Sequence, residues 1–219
     1  MRSLGISMLV FLLVSCATTE VLPPVSLDFF VPAKPDDPWK HKVQEWQTRH
    51  REDAALSDTE SGKGTTELAK EYEQFSRLLR RRIVQDTMEW VQQRSRQYYR
   101  PDGGRDHWAT LGEVIETGGD DCDGLDLLTF VLLRRLGFQS HEIYRAIIVE
   151  RGKGQHHMVT LWFEDGTSDD PFVLDPTGVV TKTMIHLSAI EGWDPIQLFD
   201  ETAHFRVERS PGARSVSVR

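Results

Sequence analysis

The sequence predicts an α+β domain in which a buried helix packs on an antiparallel sheet, preceded by N-terminal helices. Three observations carry that expectation. Helical periodicity comes first in the chain. A stretch from Leu125 to Leu136 is apolar on nearly all sides, as befits a helix in the middle of a domain. Strand-like segments rich in Ile, Val and Tyr then follow it. Helices first and neighbouring strands afterwards is the order of an α+β fold.

From the N-terminus, Met1-Arg2-Ser3 gives a short positive start and residues 4–14 are apolar, a run too short to span a bilayer. It ends in Leu13-Val14-Ser15-Cys16, which resembles a lipobox. Residues 1–15 are therefore expected to be a lipoprotein signal peptide and Cys16 the lipidation site, giving a protein anchored to a membrane rather than spanning it. The expected place is the cell envelope, on the periplasmic side of the outer membrane. Residues 16–38 hold five prolines without helical period and read as a tether. Residues 39–50 begin a short helix, and residues 52–66, polar and turn-rich, read as a flexible loop. No internal repeat is visible.

The main domain is expected over residues 67–209. Thr66 can cap a helix in which Leu68, Tyr72, Phe75, Leu79, Ile83 and then Trp90-Val91 recur in steps of three and four, predicting an amphipathic face. The Arg80-Arg81-Arg82 run within it reads as a solvated face, because acids are interleaved nearby. Tyr99-Arg100-Pro101-Asp102-Gly103-Gly104 breaks the helix. The helix over Leu125 to Leu136 stops at Gly137. Strands are predicted over 142–149, 157–163 and 172–175, with a turn at Glu164-Asp165-Gly166-Thr167. Residues 210–219 read as a frayed tail.

Composition is that of a globular protein, 39% hydrophobic and 27% charged, and the net charge of −8 argues against nucleic acid as a partner. Cysteine usage says more. Only Cys16 and Cys122 exist, and a lipid would consume the first, leaving an unpaired thiol in an exported protein. Such a thiol is buried, or it does chemistry.

The setting of Cys122 favours chemistry. It stands at a helix start, where the partial positive charge lowers a thiol pKa, and an adjacent imidazolium lowers it further. His157 opens one predicted strand and Asp175 ends another. A histidine that takes and returns the proton, held in one tautomer by a carboxylate, completes a Cys–His–Asp site. His156 competes as base, but His157 sits nearer the strand, on the face of Val159 and Leu161. Against the thiolate stand Asp120, Asp121, Asp123 and Asp126, whose charges raise a neighbouring pKa. A bound Ca²⁺ would neutralise them, since it takes oxygen ligands from clustered acids. The alternative is that Asp120 and Asp121 simply cap the helix.

These residues carry a resemblance. Gly119-Asp120-Asp121-Cys122-Asp123-Gly124, then His157-Met158-Val159, then Val173-Leu174-Asp175 resemble the three blocks of the bacterial transglutaminase-like cysteine proteinases. That group is related to transglutaminases and more distantly to papain, and includes the LapG-type periplasmic proteases. Trp108-Ala109-Thr110 also matches, and the likeness runs from Leu68 to about Phe205. It implies a papain/transglutaminase-like core with Cys122 as nucleophile, His157 as general base and acid, and Asp175 as the orienting acid. It also implies Ca²⁺ near Asp121 and Asp123. Gly124 and Leu125 depart from it, standing where the family often has an acid and an aromatic.

The reading that results is an envelope-anchored thiol hydrolase, a cysteine endopeptidase whose partner is an envelope protein or peptide substrate. Transglutaminase-like acyl transfer and cell-wall peptide amidase activity use the same chemistry and stay open. So does a non-catalytic peptide-binding lipoprotein of the same fold.

Overall fold

The structure, a computed structural model, describes residues 31–57, 66–104, 106–164, 166 and 169–208, with the side chains of residues 53–57 left aside. Cys16, the signal peptide, most of the tether and the tail at 210–219 lie outside the described residues. No helix among the described residues is long and apolar enough to cross a membrane. The chain divides into two units, residues 1–63 and 64–219.

In the first unit a single helix is described, α1 (Lys40–Ser57). It corrects the first part of the expected loop at 52–66, because the helix continues through Glu52 to Ser57, while residues 58–65 lie outside the described residues.

The second unit begins with α2 (Glu67–Tyr98), capped as expected by the Thr66 side chain, which accepts from the Ala69 N–H. Its burial corrects the N-terminal part of the expected apolar face, whereas Ile83 packs on the core and Val91 is buried as expected. Leu68, Tyr72, Phe75 and Leu79 are exposed, while Val84, Thr87, Met88, Val91 and Ser95 are buried. At about 3.6 residues per turn the two sets lie on opposite sides of the helix. The apolar stripe of α2 is periodic, but its N-terminal half marks a face that the core does not use. Arg80, Arg81 and Arg82 pair with Glu142, Glu164 and Asp86.

Next come α3 (Leu111–Thr117) and α4 (Cys122–Arg135). Gly137, at φ 94°, ends α4 where the sequence places its stop. The predicted strands form β1 (Ile143–Glu150), β2 (His156–Trp162) and β3 (Phe172–Leu174), their ends shifted by one residue at most. The short β4 (Ile185–His186), β5 (Trp193–Phe199) and β6 (His204–Arg206) complete an antiparallel sheet of order β4-β3-β2-β1-β5-β6. The fold is α+β, as the sequence predicts.

Alternation along β1, β2 and β3 divides the core in two. On one face Val84 and Met88 of α2 and Phe130 and Leu133 of α4 meet Ile143, Trp162, Phe172 and Leu174. On the other, Ala146, Ile148, Val159, Leu161 and Val173 pack with Ile190, Trp193 and Leu198. Helix α4 thus lies on the middle of the sheet, with its first turn beside the start of β2.

Candidate active site

Cys122 is the first residue of α4, half-buried, with Asp121 as N-cap accepting from the Asp123 N–H at 3.1 Å. The loop that presents it is pinned from behind. Asp120 exchanges backbone hydrogen bonds with the end of α2, donating to Tyr98 O at 3.1 Å and accepting from Arg100 N at 2.9 Å. Two glycines permit this approach. Gly119 has φ 141°, and a side chain there would run into the Tyr98 carbonyl. A Cβ at Gly124 would strike the Asp120 side chain. Gly124 is therefore required by the packing of α4 against the loop ahead of it.

His157 and Asp175 come together as the sequence predicts. Their Nε2 and Oδ1 lie 2.9 Å apart, the imidazole 8% exposed and the carboxylate fully buried. Asp175 is also held by donors from its own loop: Thr177 N at 2.9 Å, Val180 N at 2.6 Å and Thr181 N at 3.1 Å. Gln92 of α2 fixes that loop by donating to the carbonyls of Asp175 and Thr181. Trp193 covers the imidazole edge-on, with centroids 6.1 Å apart. His156 is exposed and belongs to β2, not to a preceding loop.

The electrostatics follow from this packing. Burial works to lower the His157 pKa, but the Asp175 hydrogen bond and the nearby Cys122 thiol outweigh it and hold the imidazole at about 9. Burial likewise works against the charged Asp175, yet the imidazole and the backbone N–H groups of Thr177 and Val180 hold it at about 2. A carboxylate and an imidazolium are thus both favoured beside Cys122.

The acids that flank Cys122 in the chain are drawn close to one another. Asp120, Asp121 and Asp123 each bring an oxygen within 4.8 Å of the others. Asp120 Oδ2 and Asp123 Oδ1 are buried without a hydrogen-bond partner. Burial, then the charge of Asp121, push Asp123 up to about 7, with the Arg145 guanidinium opposing. Orphaned buried oxygens on carboxylates drawn this close together fit a hard cation with oxygen ligands, such as Ca²⁺. Asp121 and Asp123 are legible in the sequence as candidate ligands, and Asp120 as a member of the same acid cluster with a cap as its alternative role. Asp126 lies apart, bonded to Arg145 and Thr160.

The cleft runs to both sides of the Cys122–His157 pair. A cavity of about 400 Å³ lies toward Arg96, Tyr99, Gln155 and Trp193, and one of about 520 Å³ toward Asp106, Trp108, Ile147 and Gln197. A chain could pass the thiol with residues seated on each side.

No family model and no curated protein matches the chain. Among solved structures it is similar to Legionella pneumophila LapG, at 22% identity and a TM-score of 0.47, over 56% of this chain and 68% of that one. The calcium-bound form of that protein gives 22% identity and 0.48, over 60% and 73%. Its EGTA-treated form gives 22% identity and 0.48, over 56% and 67%.

Proposed function

We propose that the protein is a thiol hydrolase in which Cys122, His157 and Asp175 act together, an endopeptidase cleaving an amide bond of an envelope protein. The observation that carries this reading is the buried His157–Asp175 pair at 2.9 Å beside a thiol at a helix N-terminus. Asp175 engages Nε2, which leaves Nδ1 for the sulfur. The Cys122 proton passes to the imidazole, and the sulfur attacks the substrate carbonyl carbon. The backbone N–H of Cys122, free at the helix start, steadies the developing oxyanion. The C–N bond breaks as His157 returns the proton to the leaving amine. Water, deprotonated by His157, then releases the acyl group as a carboxylic acid and restores the thiol. Asp175 keeps the ring oriented and its charge compensated throughout. The cavities on both sides of the thiol favour a substrate bond inside a chain over one at a terminus.

Asp120, Asp121 and Asp123 would hold a Ca²⁺ ion, whose charge would offset their mutual repulsion and rigidify the loop ahead of Cys122. A diacyl lipid on Cys16 would keep the domain at the membrane surface, on the periplasmic side of the outer membrane.

The test is labelling of the purified chain at neutral pH by a thiol-directed alkylating probe, read by mass spectrometry. Cys122 is expected to react faster in the native protein than after unfolding in urea, and His157→Ala to abolish that advantage. The same spectra are expected to show Cys16 acylated. Envelope proteins compared between wild-type cells and Cys122→Ala cells are expected to differ in a cleaved fragment. Equal native and unfolded labelling rates rule the reading out.

A further inference from the structure

Asp126 stands one helical turn beyond Cys122 and is completely buried, yet it takes no part in capping α4. Its Oδ2 accepts from Arg145 Nε at 2.8 Å and its Oδ1 from the Thr160 hydroxyl at 2.6 Å. Arg145 reaches further into the same helix turn, where Nη2 donates to the Asp123 carbonyl at 2.6 Å. The guanidinium also lies over the rings of Trp108 and Phe199, 6.0 Å and 5.3 Å from their centroids. Those rings stack on each other at 5.5 Å.

The register gives this cluster its significance. Arg145 of β1 and Thr160 of β2 are paired across the sheet, so two adjacent strands grip one carboxylate of α4. Thr160 is three residues from His157 on β2. The cluster therefore links the helix that carries the thiol to the strand that carries the imidazole. Stability alone does not account for it. Phe130 and Leu133 already dock α4 by apolar contact, and a buried ion pair is often no better for stability than apolar side chains of like volume. What an arginine fork adds is geometry, because its donors are planar and rigid and fix both position and rotation.

We propose that Arg145 is a positioning residue which, with Asp126 and Thr160, locks the first turn of α4 to β1 and β2 and so sets the Cys122 sulfur against the His157 imidazole. This rests on the Cys–His reading proposed above. Arg145 touches no substrate; it acts through the helix. Trp108, which lines the cleft beside Cys122, is drawn into the same cluster, so the wall of the cavity and the thiol are fixed from one point.

The experiment compares Cys122 alkylation at pH 7 in the native chain with that in urea, and records the unfolding temperature of each variant. Arg145→Lys keeps the charge and loses the fork. Thr160→Val removes one grip on Asp126. The pair Asp126→Asn with Arg145→Met removes both charges together, so that no buried ion is stranded. The native-to-unfolded ratio is expected to fall by about tenfold or more in Arg145→Lys and in the paired variant, since small misplacements of reacting groups cost that much. Unfolding temperatures are expected to stay within a few degrees of wild type, and Thr160→Val to fall between. An unchanged ratio in the variants that still unfold cooperatively overturns the proposal. So does loss of folding in all three, which makes the cluster purely structural. Failure of the underlying Cys–His reading looks different, because His157→Ala then leaves the wild-type ratio untouched.

Discussion

His157 and Asp175 together impose a pH dependence with a definite sign. The folded imidazole, at about 9, lies above its ordinary value of 6.5. Its contribution to stability is therefore complete below pH 6.5 and lost as the pH rises through 9. Asp175, at about 2, lies below its ordinary 3.8, so its contribution is complete above that value and lost as the pH falls through 2. The unfolding-temperature difference between wild type and His157→Ala is expected to be largest between pH 4 and 6.5 and to shrink above 9. A difference that grows with pH would contradict the pairing. Both residues were legible in the sequence because each stands at a strand end, and Cys122 because it is the thiol left over beyond Cys16. Arg145 leaves a trace in the sequence as well, a lone charge inside the apolar run Ile143-Tyr144-Arg145-Ala146-Ile147-Ile148. A buried charge is costly unless paired, so such a residue points to a partner that sequence spacing cannot name.

Helix α4 is the element on which fold and site both depend. Leu133 is fully buried near its C-terminal end, against the sheet. Leu133→Ala is expected to cost about 2–5 kcal/mol in chemical denaturation, as a cavity in a packed core does. Cys122 labelling should survive in the folded fraction, because the first turn is held separately. A cost under about 1 kcal/mol would mean that the helix is loosely packed. This helix was legible from its apolar run and its terminal glycine. Helix α3 also had a signal, the capping box of Thr110 and Glu113, whose side chains satisfy each other's backbone N–H. Strand β5 was hidden by Pro195, which cannot donate to a ladder. The structure accommodates it where the pairing shifts: Ile147 faces Gln197 while Ile148 faces Pro195, leaving Ile196 unpaired between them. The exposed stripe of α2 misled for a different reason. Periodicity reports that a helix has an apolar side, but not which stretch of that side the core covers.

For the whole molecule, the acid cluster predicts a dependence on calcium. If Asp120, Asp121 and Asp123 hold the ion only when folded, excess Ca²⁺ raises the unfolding temperature and EGTA lowers it. The gain is about 2.7 kcal/mol at a hundredfold excess over Kd. Asp121→Ala is expected to flatten that response. An unchanged melting temperature of wild type in EGTA and in excess Ca²⁺ would sink the prediction and leave the acids as caps. The sheet has one further consequence. The long, largely buried strands β1 and β2 lie at its centre, while the outermost strands are β4, with two residues, and β6, with three. A foreign strand arriving at either border finds only a few backbone groups to pair with, too short a template to nucleate cross-β growth. The longest strand, β1, is paired along both flanks, by β2 and by β5, for as long as the domain stays folded.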